Sequence, residues 1–160
     1  SSGPFPHADI AIQGTLETWL EVYPALEVED RLRGSLAKSR SADSENNKAP
    51  IGPHRSDLHV VHVEKGQPAN LCSTGEQKAL LIAIVLADAR LRAAERDAAP
   101  LLLLDEVAAH LDGDRREALF EEIFELGAQV WLTGTDQSVF SSMQSKAQFL
   151  DVRDGQANLL

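Results

Sequence analysis

The run Leu101-Leu102-Leu103-Leu104-Asp105-Glu106 places two carboxylates directly after four leucines. A buried strand would deliver both acids at its C-terminal tip, where ligands sit in open α/β sheets. There Asp105 can hold Mg²⁺ directly or through water. Glu106, aimed at a γ-phosphate, can orient or deprotonate a water. A strand that merely ends in an acidic turn would carry the same residues. A second cluster, Cys72-Ser73-Thr74-Gly75-Glu76-Gln77-Lys78, stands just before a long apolar stretch. Ser73 and Glu76 fit the S-x-x-E capping box, in which a hydroxyl and a carboxylate satisfy two orphan amides. Gly75 lets a ligand approach the backbone closely, and free amides at the positive end of a helix dipole attract anions. An ordinary well-capped helix has the same pattern. Two shorter clusters follow, Ala108-Ala109-His110-Leu111-Asp112 and Thr133-Gly134-Thr135-Asp136. Each alone is a turn rich in Asp or Gly. Their order and spacing together bring polar groups to two adjacent strand tips and one crevice.

The elements that must position these residues are readable from periodicity. Leu16, Trp19 and Leu20 share a helical face after Gly14-Thr15, and Pro24 suits the first turn of a new helix. Val28, Leu32 and Leu36, spaced by four among charged residues, predict an amphipathic helix to about Arg40. Ser39 to Pro50 is rich in turn formers and reads as a loop. Leu58 to Val63 reads as a strand, Lys65-Gly66-Gln67 as a turn, and Ser73 to Asp97 as a long helix. Leu101 to Leu104 suits a strand buried on both faces of a parallel sheet. A helix from about Asp114 to Leu126 ends at Gly127. Gln129 to Leu132 is a second short strand, and Ser138 to Gln144 a short helix. Phe149 to Val152, an Asp154-Gly155 turn and Ala157 to Leu160 make a terminal hairpin. Trp19 and Trp131 are expected in the core. The alternation of strand and helix after position 100 is an α/β architecture.

Composition bounds the function. The chain has 160 residues, 43% of them hydrophobic and 25% charged, enough for a packed core in a soluble domain. The longest apolar run, Ala79 to Ala87, has nine residues, where a membrane span needs about 20. The single cysteine, Cys72, excludes a disulfide framework and points to a reducing, cytoplasmic setting. A formal net charge of −10 argues against a self-sufficient nucleic-acid binder, which draws its affinity from Lys and Arg on phosphates. Arg31, Arg33, Lys38, Arg40, Lys48 and Arg55 do form a local basic concentration. It reads either as a phosphate-facing patch or, given the interleaved Glu27, Glu29, Asp30, Asp43 and Glu45, as a solvated helix face. The histidines have no metal-ligand spacing with Cys72.

The series CSTGEQK, LLLLDE, AAHLD and QVWLTGTD resembles the second half of an ATP-binding cassette ATPase. Ile51-Gly52-Pro53-His54-Arg55-Ser56-Asp57-Leu58 is similar to a Gly-Pro-His-Arg segment of the RecF family within that class. The resemblance covers the chain from about Thr15 to the hairpin. It implies a partial ATPase head: a signature helix, parallel strands with flanking helices, and a terminal β-hairpin. Residues 1–50 would be a helical lobe segment, and 51–160 the segment carrying signature, Walker B, D-loop and switch. Ser73, Thr74, Gly75 and Glu76 correspond to the signature motif, Asp105 and Glu106 to Walker B with its catalytic Glu, Asp112 to the D-loop. Thr135 holds the switch position, where transporters carry His. No G-x-x-x-x-G-K-[ST] phosphate loop occurs in the chain. With the start at Ser1-Ser2-Gly3-Pro4 and no initiator Met, residues 1–160 are expected to be the C-terminal part of a longer protein.

The resemblance also implies head-to-tail dimers that share two ATP molecules with Mg²⁺. Ser73 and Gly75 would touch the γ-phosphate held by the partner. Asp105 would order Mg²⁺, Glu106 would position water, Asp112 would cross the interface, and Thr135 would sense the γ-phosphate. The implied role is ATP-dependent dimerisation and DNA binding at single-strand/duplex junctions in gap repair and replication, with RecR and RecO. Such a chain hydrolyses ATP only together with a phosphate loop. The competing expectations are a binding module that kept the fold but lost turnover, and another SMC-like cassette. DNA contact on the basic concentration would fall to Arg31, Arg33, Lys38, Arg40 and Arg55.

Overall fold

A computed structural model describes residues 4–46, 51–96 and 98–160 of the chain. It divides into two compact units, Ala8–Leu71 and Ser1–His7 with Cys72–Leu160.

In the unit Ala8–Leu71, strand β1 (Ala8–Gln13) leads into α1 (Thr15–Val22) and α2 (Ala25–Asn46). β1 pairs antiparallel with β2 (Asp57–His62), Ile10 opposite Val60 and Ile12 opposite Leu58, and β2 pairs in turn with β3 (Gln67–Pro68). The pairing ties residues on both sides of position 50 into one unit. β1 is absent from the reading of the sequence, although Ile10 and Ile12 alternate with Asp9, Ala11 and Gln13 at the period of a strand. α2 continues to Asn46, so residues 39–46 of the expected loop are helical, and Asn47–Pro50 lie outside the described residues. Ser, Asp and Asn favour turns by offering the backbone alternative hydrogen bonds. Ser39 shows how such a residue is accommodated inside the helix: its hydroxyl donates to the Leu36 carbonyl at 3.3 Å.

In the other unit, α3 (Thr74–Arg96) is followed by β4 (Leu102–Leu104), α4 (Gly113–Leu126) and β5 (Val130–Leu132). β4 and β5 are parallel, Leu104 opposite Leu132, so β4-α4-β5 is a crossover unit, the connection parallel strands require. α4 begins at Asp112, whose carboxylate accepts the Arg115 amide at 2.9 Å, and ends at Gly127, left-handed at φ 63°. Ile82 and Leu86 of α3, Leu104, and Leu119, Phe120 and Ile123 of α4 meet in one core with Ala108, Leu111 and Met143. Phe5 packs against it, as does Phe140, whose ring centre lies 6.1 Å from that of Phe120. Arg90 of α3 pairs with Glu122 of α4. The segment expected as a helix near Ser138 is a 3₁₀ stretch, Gln137–Met143. β6 (Leu150–Arg153) and β7 (Gln156–Leu159) form the hairpin across Asp154-Gly155, both at positive φ.

Two expectations about burial fail together. Leu102 and Leu104 are buried, but Leu103 is 71% exposed and its register neighbour Trp131 is 50% exposed. A strand pair offers two faces, and here the core fills one. Among the described residues no helix is long and apolar enough to cross a membrane.

Candidate functional site

β4 ends at Leu104 and β5 at Leu132, so the next residues, Asp105 and Thr133, emerge side by side at the C-terminal edge. The Thr133 amide still donates to the Leu104 carbonyl at 3.1 Å, extending the ladder by one rung. Beyond it the side chain takes over. The Thr133 hydroxyl donates to Asp105 Oδ1 and accepts the Glu106 amide at 3.0 Å. Glu106 itself sits at φ 51°, a left-handed conformation that a glutamate adopts at a cost of about 1–2 kcal/mol. Asp105, Glu106, Thr133 and Thr135 are all exposed. The strand tip therefore presents two carboxylates and two hydroxyls to solvent over an apolar base.

Gly134, between the two threonines, lies close against the Phe140 ring. A Cβ there would lie 2.7 Å from the Phe140 ring. The tip loop is thus pressed onto the core through a glycine. Next to it, Asp136 Oδ1 accepts the Ser138 amide at 2.8 Å and starts the 3₁₀ stretch. Hydrogen bonds from the Ser138 hydroxyl and amide hold the Asp136 carboxyl below the usual aspartate range.

The second cluster forms the capping box its spacing predicts. The Ser73 amide donates to Glu76 Oε2 at 3.0 Å and its hydroxyl to the same oxygen at 2.9 Å, while the Glu76 amide reaches back to Ser73 Oγ at 3.4 Å. Ser73 and Thr74 are exposed, and Gly75 has nothing within 4 Å of the position a Cβ would take. This fold does not itself require a glycine there. Asp112 is exposed at the start of α4, where it also pairs with Arg115 at 3.5 Å.

The hydrogen bonds join Asp105, Glu106 and Thr133; Ser73 and Glu76 form a separate site at the mouth of α3, and Asp112 a third at the mouth of α4. Thr133 is the residue that sequence reasoning left out. Its signal was available only as part of the Thr-Gly-Thr-Asp cluster. Among the described residues no three His, Cys, Asp or Glu side chains are grouped to hold a metal ion. Mg²⁺ carried on a nucleotide asks for less, one or two carboxylates beside phosphate oxygens, and the hard oxygen donors at the tip suit it.

The basic residues in the Ala8–Leu71 unit divide. Arg31 bonds Glu27 at 2.8 Å and stacks 3.7 Å over the Tyr23 ring, and Arg33 bonds Glu29 at 2.6 Å and Asp30 at 3.4 Å. Lys38, Arg40 and Arg55 are exposed, and Lys48 lies outside the described residues. A groove of about 390 Å³ in this unit, lined in part by Gln13, Asp57, Leu58, His59, Asn70 and Leu71, contains none of the candidate nucleotide-site residues; Asp57 and Leu58 come from the end of the Gly-Pro-His-Arg segment.

A capped apolar helix, then a buried strand tipped by two acids, then a crossover helix and a parallel strand tipped by Thr-Gly-Thr-Asp, define part of a head of the ATP-binding cassette class. No family model matches the chain. It is 53% identical over 154 residues to the DNA replication and repair protein RecF of Mesorhizobium japonicum, and 50% identical over 156 residues to that of Brucella abortus. These alignments cover 96% and 98% of the chain. The chain belongs to the RecF family, and it spans 41% of the length of these curated relatives. Two solved structures share its fold over 97% of its length. They are the recombination mediator protein RecF with ATPrS in the RecFOR pathway (TM-score 0.68, 23% identity, 40% of that chain covered) and RecF with ATP in the same pathway (TM-score 0.64, 21% identity, 39% covered).

Proposed function

We propose that this segment supplies the signature, metal-ordering, water-positioning and switch residues of a RecF-type ATPase, a cytoplasmic protein of DNA replication and recombinational repair. The observation that carries the reading is the exposed pair Asp105 and Glu106, set at the C-terminal tip of a parallel strand and fixed there by Thr133. Asp105 would offer an anionic oxygen to Mg²⁺ on ATP, whose charge would ease the build-up of negative charge on the phosphates. Glu106 accepts a hydrogen bond from the attacking water and orients it, while Thr135 hydrogen-bonds the γ-phosphate from the adjacent strand tip.

Ser73 and Gly75 serve a second nucleotide face. The hydroxyl, the positive end of the α3 dipole and the open space over Gly75 suit a phosphate presented by another copy of the protein. Thr74 and Glu76 shape that turn, and Asp112 contacts the partner copy from the mouth of α4. ATP then joins two copies, and its hydrolysis releases them. Binding to DNA junctions and action with RecR and RecO are assigned to the whole protein. The net charge of −10 and the carboxylate partners of Arg31 and Arg33 make α2 of this segment a poor phosphate-binding surface by itself. In a full-length RecF protein carrying this chain, Glu106→Gln should retain ATP binding, accumulate an ATP-bound dimer and nearly abolish turnover. Unchanged turnover would refute the assignment.

A further inference from the structure

We propose that Thr133 is a positioning residue for hydrolysis, a hydroxyl clamp that sets Asp105 and Glu106 relative to each other; this role rests on the ATPase reading above. The Thr133 side chain is bonded to both members of the acidic pair. Its hydroxyl hydrogen goes to Asp105 Oδ1, and a lone pair takes the Glu106 amide. The direction of both bonds is forced. A carboxylate has no proton to give and an amide N–H can only donate, so only a group that is donor and acceptor at once can stand between them. Serine and threonine hydroxyls meet that demand, and valine, with the same shape, does not.

The clamp stands just beyond the end of the sheet. The last rung of the ladder is Thr133 N–H to Leu104 C=O. Glu106 lies beyond that rung in the left-handed region, and its amide donates to the Thr133 hydroxyl oxygen rather than continuing the ladder. Such a conformation persists only where its surroundings over-determine it. Thr133 supplies the acceptor, and the same oxygen commits one Asp105 oxygen toward β5. Gly134, where a Cβ would have to displace the Phe140 ring, keeps the tip loop close against it. The two acids are thereby indexed to β5 rather than left to the freedom of an exposed turn. For a water-positioning carboxylate, displacement by an ångström is enough to lower turnover severely.

The test compares Thr133→Val, which deletes the hydroxyl, with Thr133→Ser, which keeps it, in a full-length RecF protein carrying this chain. The first readout is hydrogen–deuterium exchange of the Glu106 amide, which needs no nucleotide. The second is steady-state ATP hydrolysis. Thr133→Val should speed exchange roughly tenfold, the loss of one hydrogen bond. It should lower kcat at least about tenfold while KM for ATP moves less than about twofold, the signature of a step after binding. Thr133→Ser should return both quantities to within about threefold of wild type. Unchanged exchange in the valine variant would overturn the clamp. Faster exchange with normal kcat would overturn its role in hydrolysis, as would a loss of kcat that serine does not restore. Glu106→Gln, run alongside, separates the two levels: full turnover in that variant removes the ATPase reading, whereas its loss leaves Thr133 to be judged on its own data.

Discussion

Replacing Glu106 by Ala and, separately, by Gly measures the backbone strain at the strand tip without any nucleotide. Both changes remove the carboxylate and leave the amide that Thr133 accepts. They differ only in what a Cβ costs at φ 51°. The left-handed conformation costs a residue with a Cβ about 1–2 kcal/mol. Glycine avoids that but loses about 0.5–1 kcal/mol more conformational entropy on folding. The Gly variant should therefore be more stable than the Ala variant by about 0.5–1 kcal/mol, or about 2 °C in Tm for a chain of this size. At an ordinary exposed position the sign is reversed. Urea unfolding followed by Trp131 fluorescence in a Trp19→Phe background reads this unit, since Trp131 lies on β5 beside the tip. An Ala variant as stable as the Gly variant would refute the strain, and with it the reasoning that Thr133 is needed to hold the turn.

Gly75→Ala should raise the stability of α3 by about 0.5 kcal/mol in urea unfolding, because a Cβ there meets nothing within 4 Å. In a full-length RecF protein the same change should weaken ATP-driven dimerisation, read by light scattering; stability and function would move in opposite directions. Gly134→Ala should destabilise by about 1–3 kcal/mol, since its Cβ would sit 2.7 Å from the Phe140 ring, and thermal unfolding checks it. The Asp136 carboxyl titrates below the ordinary aspartate value because Ser138 bonds its ionised form. Its capping contribution is complete above the unfolded-state pKa and is lost as pH falls through the lowered folded value. NMR titration should show the Asp136 carboxyl midpoint moving up in Ser138→Ala.

The parts of this architecture that were legible in the sequence are those set by local pattern. Leu16, Trp19 and Leu20 announce α1, Ser73 with Glu76 announces the mouth of α3, and Gly127 ends α4 as its type demands. β1 escaped because its alternation is short and weakened by Ala11, and its partner strand β2 lies some fifty positions later. The extent of α2 escaped because a turn-forming side chain can bond within a helix, as Ser39 does to the Leu36 carbonyl. Leu103 and Trp131 misled because apolar character records a preference for burial, and burial also needs a covering layer. The same division holds at the site. Asp105 and Glu106 could be placed at a strand tip from four preceding leucines. Thr133 could not be joined to them before the register of β4 against β5 was known, since a shift by one residue would have set Leu132 or Gly134 opposite Asp105. The left-handed turn at Glu106 has no sequence signal at all, because glutamate is not a residue that seeks it.

The central claim is that the acidic tip and the mouth of α3 act on nucleotide from two different copies of the protein. Mixing full-length Ser73→Arg protein with full-length Glu106→Gln protein tests it most directly, by measuring ATP hydrolysis of each alone and of the equimolar mixture. A dimer of one copy of each has one site carrying both defects and one site carrying neither. With half of the dimers mixed and one site in two intact, the mixture should regain about a quarter of wild-type turnover while each variant alone stays inactive. A mixture as inactive as its components would contradict the claim and place both groups on the same copy's nucleotide.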